Sequence, residues 1–289
     1  EYTRTYIRRS RPRRYARSRT RAERPHRKVD VDGHAPRVSR IVTAALLTLA
    51  ALAACGSPLP PAPPPPPGPP PVPTVPADLL DLANWKLTLP TGQEGEPIEV
   101  LPPDLRSFSD DWFRLNDTRD GVVFSANAGG TTTEGSSYPR SELREMSGGA
   151  LAEWSNTVGT HTMTLRQAIT RLPEVKPHVV TAQIHDAEDD IVEVRLEGTV
   201  LSAQYDDGDG EIVLDPAYVL GTPYDLQITA SNGQIEVHYN GALSGEIPES
   251  GSGWYFKSGS YVQSNPERGD APDAVGQVVL YALDVQHSA

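Results

Sequence analysis

Leu226-Gln227-Ile228-Thr229-Ala230-Ser231-Asn232-Gly233-Gln234-Ile235-Glu236-Val237-His238-Tyr239 is the stretch that decides the fold. Leu226 and Ile228 before the Ser231-Asn232-Gly233 turn, and Ile235, Val237 and Tyr239 after it, alternate with their neighbours. Successive side chains of a strand point to opposite faces, so this period of two marks half-buried strands joined as a hairpin. Alternation recurs at Trp85, Leu87 and Leu89, at Met163, Leu165 and Ile169, and at Val279, Tyr281, Leu283 and Val285. From Asp78 to Ala289 short runs are broken by Gly, Asn and Pro, with no long apolar period of 3.6 residues and no internal repeat. Many short strands in one domain predict an all-β fold of two packed antiparallel sheets, a β-sandwich or jelly roll.

Outward from this domain, residues 78–289, the chain changes character. Residues 1–37 are Arg-rich, poor in apolar residues and without period, a composition that cannot bury enough surface to fold. They read as a basic extension preceding the true start of translation, with Val38 as a candidate start, rather than as a nucleic-acid-binding arm. Residues 38–55 follow signal-peptide grammar: Arg40, the apolar run Ile41 to Ala54, then small residues. That run is too short to span a bilayer as a stable helix. Leu52-Ala53-Ala54-Cys55 resembles the bacterial lipoprotein box, which predicts export with a lipid anchor on Cys55 at the outer face of the cell membrane; a cleaved signal peptide with an incidental cysteine would give a secreted protein instead. Cys55 is the single cysteine, so no intrachain disulfide supports the fold. Residues 56–77 are dominated by proline and predict a polyproline II tether, rising about 3.1 Å per residue.

The formal charge of −12 averages two opposite parts. Residues 1–40 hold 14 of the 26 basic and 4 of the 38 acidic residues, which leaves 12 basic and 34 acidic residues from Ile41 onward. A strongly negative domain excludes nucleic acid as a partner, because phosphate contacts need a positive field. An anionic polymer would need a local basic patch, and moderate salt should then raise activity by screening the remote acidic field.

Three segments supply such a patch. In Tyr138-Pro139-Arg140-Ser141-Glu142-Leu143-Arg144-Glu145-Met146, one strand face carries Arg140, Glu142 and Arg144. In Val179-Val180-Thr181-Ala182-Gln183-Ile184-His185, the face with Val180, Ala182 and Ile184 suits a core, and the opposite face carries Thr181, Gln183 and His185. In Trp254-Tyr255-Phe256-Lys257-Ser258-Gly259-Ser260-Tyr261-Val262-Gln263, Tyr255, Lys257, Tyr261 and Gln263 share one face, with Phe256 and Val262 on the other. Taken singly, these are a salt-bridge ladder, a surface histidine and a packing tyrosine. Together, an arginine pair, an amide, an imidazole, a lysine and a phenol are the set that binds a uronate carboxylate and moves protons.

The three segments resemble the signature motifs of polysaccharide lyase family 7, the alginate lyases: R-(S/T)-E-L-R, Q-(I/V)-H and Y-F-K-x-G-x-Y-x-Q. Asn84-Trp85-Lys86-Leu87-Thr88-Leu89-Pro90 is similar to the opening of that domain. The resemblance implies a jelly roll with an open concave cleft that breaks the 4-O-linkage of alginate by β-elimination. It implies that Arg140, Gln183 and His185 neutralise the uronate carboxylate, with Tyr261 as general base and acid. For guluronate, His185 is the alternative base and Tyr261 the acid. A free phenol ionises near 10, and the cations expected nearby, Arg140 and His185 with a smaller part for Lys257, favour its phenolate. Glu142, Arg144, Tyr255, Lys257 and Gln263 are expected to hold neighbouring sugars. Ile184, central in Gln183-Ile184-His185, resembles the form in members that accept guluronate or mixed blocks.

A non-catalytic carbohydrate-binding module on the same scaffold needs aromatics and donors, but not Arg140, His185 and Tyr261 together; fold alone does not separate the two. A lyase for another polyuronate, such as polyglucuronate, makes similar demands. A glycoside hydrolase needs two carboxyl groups flanking one bond, whereas Glu142 sits between arginines. Asp206-Asp207-Gly208-Asp209-Gly210-Glu211 reads as a solvated acidic hairpin; it lacks the spacing of a calcium-binding EF-hand loop. The chemistry needs no metal or cofactor, so activity resistant to chelators is expected, from a chain that acts as a monomer.

Overall fold

The computed structural model describes residues 71–289. The basic extension, the signal segment with Cys55 and the greater part of the proline-rich tether lie outside the described residues. Seventeen strands follow one another there: β1 (Trp85–Gln93), β2 (Glu96–Val100), β3 (Phe113–Leu115), β4 (Val122–Asn127), β5 (Arg140–Ser147), β6 (Ala150–Leu151), β7 (Trp154–Ser155), β8 (Thr160–Arg171), β9 (His178–His185), β10 (Asp190–Glu197), β11 (Val200–Tyr205), β12 (Gly210–Asp215), β13 (Tyr224–Ser231), β14 (Gln234–Tyr239), β15 (Ala242–Ile247), β16 (Ser252–Val262) and β17 (Val275–Ser288).

The strands pair antiparallel in two sheets. One has ten strands in the order β12-β11-β10-β9-β16-β5-β1-β2, with β6 beside β5 and β7 beside β16; the other has seven, β15-β14-β13-β8-β17-β4-β3. The all-β sandwich expected from alternation is what forms. The β13–β14 hairpin turns through Asn232 and Gly233, both at positive φ (51° and 74°), the backbone that a two-residue hairpin turn requires and that these two residues tolerate best. Between the sheets Leu87, Leu143, Ile184 and Phe256 of the first meet Phe124, Met163, Leu226 and Ile228 of the second, all essentially inaccessible to water. Each such side chain contributes about 1.5–3 kcal/mol by leaving water.

Two strands depart from simple alternation, and in each a bulge is the reason. β9 shifts register against both neighbours around Thr181. Thr181 therefore turns inward, where it accepts a hydrogen bond from Gln167 (3.1 Å) and meets the Tyr224 hydroxyl (3.3 Å), instead of joining the polar face. Val180, predicted as core, is the partner of Tyr261, and Val179 fills the core in its place. On β17 the register shifts between Leu280 and Ala282, so Val278 and Leu280 face inward before the shift, rather than Val279 and Tyr281. A one-residue slip exchanges the faces of a strand, and residue type alone does not announce it.

Candidate active site

The ten-stranded sheet places β9, β16 and β5 side by side at its centre. Register brings Tyr261 opposite Arg140, Lys257 between Arg144 and Gln183, and Tyr255 opposite His185. These residues and Gln263 line a cleft of about 580 Å³ on the outer face of that sheet, bordered by residues 133–138 and 187–190. The three motifs predicted to share a face do so.

Glu142 is the exception among them. It was expected to hold sugar, but it is 1% exposed and does not line the cleft. Its carboxylate accepts from Gln183 Nε2 at 2.5 Å, from Lys257 Nζ at 2.7 Å and from Arg140 at 3.2 Å. Burial alone would raise this carboxyl; the charges of Lys257 and Arg140 outweigh it and hold the group below the usual glutamate range. Glu142 thus organises the floor from beneath. Burial pulls Lys257 the other way, down to about 8, although Glu142 opposes that.

Arg140 lies with its guanidinium carbon 3.7 Å from the centre of the Tyr261 ring, and Lys257 Nζ lies 5.9 Å from it. Arg144 stacks in the same way on Tyr255, at 3.7 Å, and its buried Nη1 has no hydrogen-bond partner among the described residues. A buried guanidinium nitrogen left unpaired beside a cleft is suited to an incoming carboxylate. His185 is held below its ordinary value, first by burial and then by the charge of Lys257, so it is neutral near pH 7. The positive charge beside the phenol therefore comes from Arg140 and Lys257, not from the imidazole as expected. His185 Nδ1 lies 2.6 Å from the Asp186 carbonyl oxygen, which assigns the proton to Nδ1 and leaves Nε2 as a free acceptor.

Gly259 sits between these groups on β16, opposite Glu142, with φ of 152°. A Cβ there would collide with the Ser141 carbonyl oxygen and come within 2.8 Å of Glu142 Cα. Only glycine lets β16 approach β5 so closely.

Sequence reasoning missed Ser136. Its Oγ is 3.0 Å from the Tyr261 hydroxyl, and it accepts from Arg140 Nη2 at 3.1 Å and from the Tyr138 backbone N–H at 3.2 Å. With two donors already directed at Oγ, its own proton is available to the Tyr261 oxygen or to the Tyr138 carbonyl, 3.1 Å away. The only sequence signal was its place in a polar turn just before the Arg140 strand. Ser136→Ala is expected to lower kcat about tenfold while KM changes little, the loss of one hydrogen bond of about 1.4 kcal/mol. Steady-state kinetics check this; an unchanged kcat would reduce Ser136 to a turn residue.

Among the described residues no cluster of His, Cys, Asp and Glu is arranged to hold a metal ion. The Asp206-Asp207 segment forms a short 3₁₀ turn between β11 and β12.

A family model described as alginate lyase matches residues 80–287. The alginate lyase AlgAT5, from polysaccharide lyase family 7, is 50% identical over 75% of this chain and all of its own, with a TM-score of 0.72. An alginate lyase from Corynebacterium sp. is 47% identical over 74% of this chain and 98% of its own, also at 0.72. Alginate lyase A1-II′, of the same family, is 29% identical over 74% and 99%, at 0.65. The comparison with curated proteins gives no match. An open β-sandwich carrying this cleft, with these likenesses, defines a polysaccharide lyase. The chain belongs to polysaccharide lyase family 7, the alginate lyases.

Proposed function

We propose that this enzyme depolymerises alginate by β-elimination, as a monomer, and accepts guluronate or mixed blocks. The observation that carries the reading is the placement of the Tyr261 hydroxyl beside Arg140, on a floor that also presents Gln183 and neutral His185.

A C5 proton next to an ionised carboxylate is poorly acidic, because its removal places a second negative charge on the same group. Arg140 and Gln183 offset that charge through contacts that strengthen as it develops, whereas His185, whose Nδ1 proton goes to the Asp186 carbonyl oxygen, does not donate to it. The base takes the C5 proton; the electron pair forms the C4–C5 double bond; the C4–O bond breaks and the leaving oxygen is protonated. Tyr261 serves both proton transfers on mannuronate. On guluronate, whose C5 proton lies on the opposite face, the free Nε2 of His185 takes the proton and Tyr261 protonates the leaving oxygen. Arg144, Tyr255, Lys257 and Gln263 hold the adjoining sugars.

The same reading has the protein exported and lipidated at Cys55, which fatty-acid labelling of the expressing cell tests against Cys55→Ser. The test of the reaction is ultraviolet absorbance of the new double bond with polymannuronate, polyguluronate and polyglucuronate. A rise with guluronate-containing alginate supports the proposal. A rise with polyglucuronate alone would replace the substrate, and reducing ends without absorbance would replace elimination by hydrolysis.

A further inference from the structure

Glu193 enters none of the roles above, yet it stands in the cleft. It lies on β10 opposite Gln183, is 9% exposed, and lines the same cavity as Arg140 and Tyr261. No hydrogen-bond donor reaches its carboxyl group among the described residues. The nearest cation, an Arg195 nitrogen 3.9 Å away, belongs to a guanidinium committed to Glu197 at 2.7 Å. Asp189 and Asp190 line the same wall. A bare carboxylate here would lack a hydrogen-bond donor, be nearly buried and lie next to a polyanionic substrate, three costs that the charges of Arg195 and Lys257 offset only in part. A proton removes all three.

We propose that Glu193 is a sugar-binding residue that works as a neutral carboxylic acid, donating a hydrogen bond to a uronate carboxylate in the stretch of cleft beside Gln183. Glu193 is then a donor at neutral pH and a repelling charge at alkaline pH. This rests on the lyase reading and adds to it a substrate contact whose sign depends on pH.

Burial and the neighbouring carboxylates outweigh the cations around Glu193. Burial pushes its carboxyl up to about 8, and the charge of Asp190 adds to this; Arg195 opposes, Glu142 adds, and Lys257 opposes. Asp190 is itself raised to about 6, by burial and then by Asp189. On β9 the titratable neighbour, His185, is held neutral by burial and by Lys257. On the other side Gln204 of β11 is the partner of Glu193, and Glu211 of β12 is next in register. A carboxyl raised to about 8 is protonated below that pH and charged above it, so binding should weaken as pH rises through 8.

The experiment is kcat and KM on alginate between pH 6 and pH 10 for the full-length enzyme, Glu193→Gln and Glu193→Ala, with melting temperatures alongside. The wild-type KM is expected to rise about tenfold across pH 8, the equivalent of one repulsive contact. Glu193→Gln, a permanent neutral donor, should hold its low KM to higher pH, and Glu193→Ala should show a KM above that of the wild type at neutral pH but not above it at pH 10. Lys257 titrates in all three proteins and feels the Glu193 charge, which Gln and Ala both remove, so the difference between these two variants isolates the hydrogen bond. A Gln variant that follows the wild-type KM curve, or an Ala variant with wild-type KM at neutral pH, overturns the proposal. Absence of double-bond formation by the wild type at any pH overturns the lyase reading instead.

Discussion

Tyr261→Phe is expected to lower kcat on alginate by about 10²–10⁴-fold, the range of a general acid–base group, with KM nearly unchanged. The substitution removes one oxygen and leaves the ring, so the stacking of Arg140 on that ring survives and the floor keeps its shape. What disappears is the hydroxyl bonded to Ser136, to which the proposed mechanism gives both proton transfers on mannuronate. Initial rates from double-bond absorbance, with binding of alginate measured separately, check this. Loss of binding in step with kcat would reassign Tyr261 to holding sugar, and a surviving kcat would remove it from the chemistry. On polyguluronate the variant should fail at leaving-group protonation, since His185 remains to take the C5 proton.

Glu142→Ala is expected to cost about 3–5 kcal/mol of folding stability and to abolish activity, because it strands two cations that the carboxylate now pairs. Arg140 and Lys257 are each less than a tenth exposed, and Gln183 loses its acceptor as well. Urea unfolding of the variant against the wild type measures the cost. A shift below 1 kcal/mol would show that water or a neighbour replaces the carboxylate. The native pairing depresses the Glu142 carboxyl, so its stabilisation is complete above the ordinary glutamate value and fades as pH falls through the depressed one. The variant should therefore lose part of the wild type's sensitivity to acid.

The site was legible because a strand maps every second residue onto one face, and three motifs obey that rule from Arg140 to Arg144, from Gln183 to His185 and from Tyr255 to Tyr261. Thr181 and Val180 were assigned to the wrong faces because the β9 bulge depends on its neighbours' register, which a single strand's composition does not carry. Glu142 looked like a sugar ligand because alternation reports which face a residue occupies and not how deep it lies. Ser136 approaches Tyr261 from a loop, where no period operates, and Glu193 sits on a strand whose pairing with β9 could not be read from residue type.

Gly259 contributes no functional atom, and its effect is on what this groove can become. The strands that carry Arg140 and Tyr261 are hydrogen-bonded neighbours, about 4.7–4.9 Å apart, and nothing larger than hydrogen fits where β16 passes Glu142. A library that randomised the floor for new polymers would find this position closed and the spacing of its reacting pair invariant. Innovation in substrate range is thereby channelled to the rim at residues 187–189, since the opposite rim holds Ser136 against Tyr261.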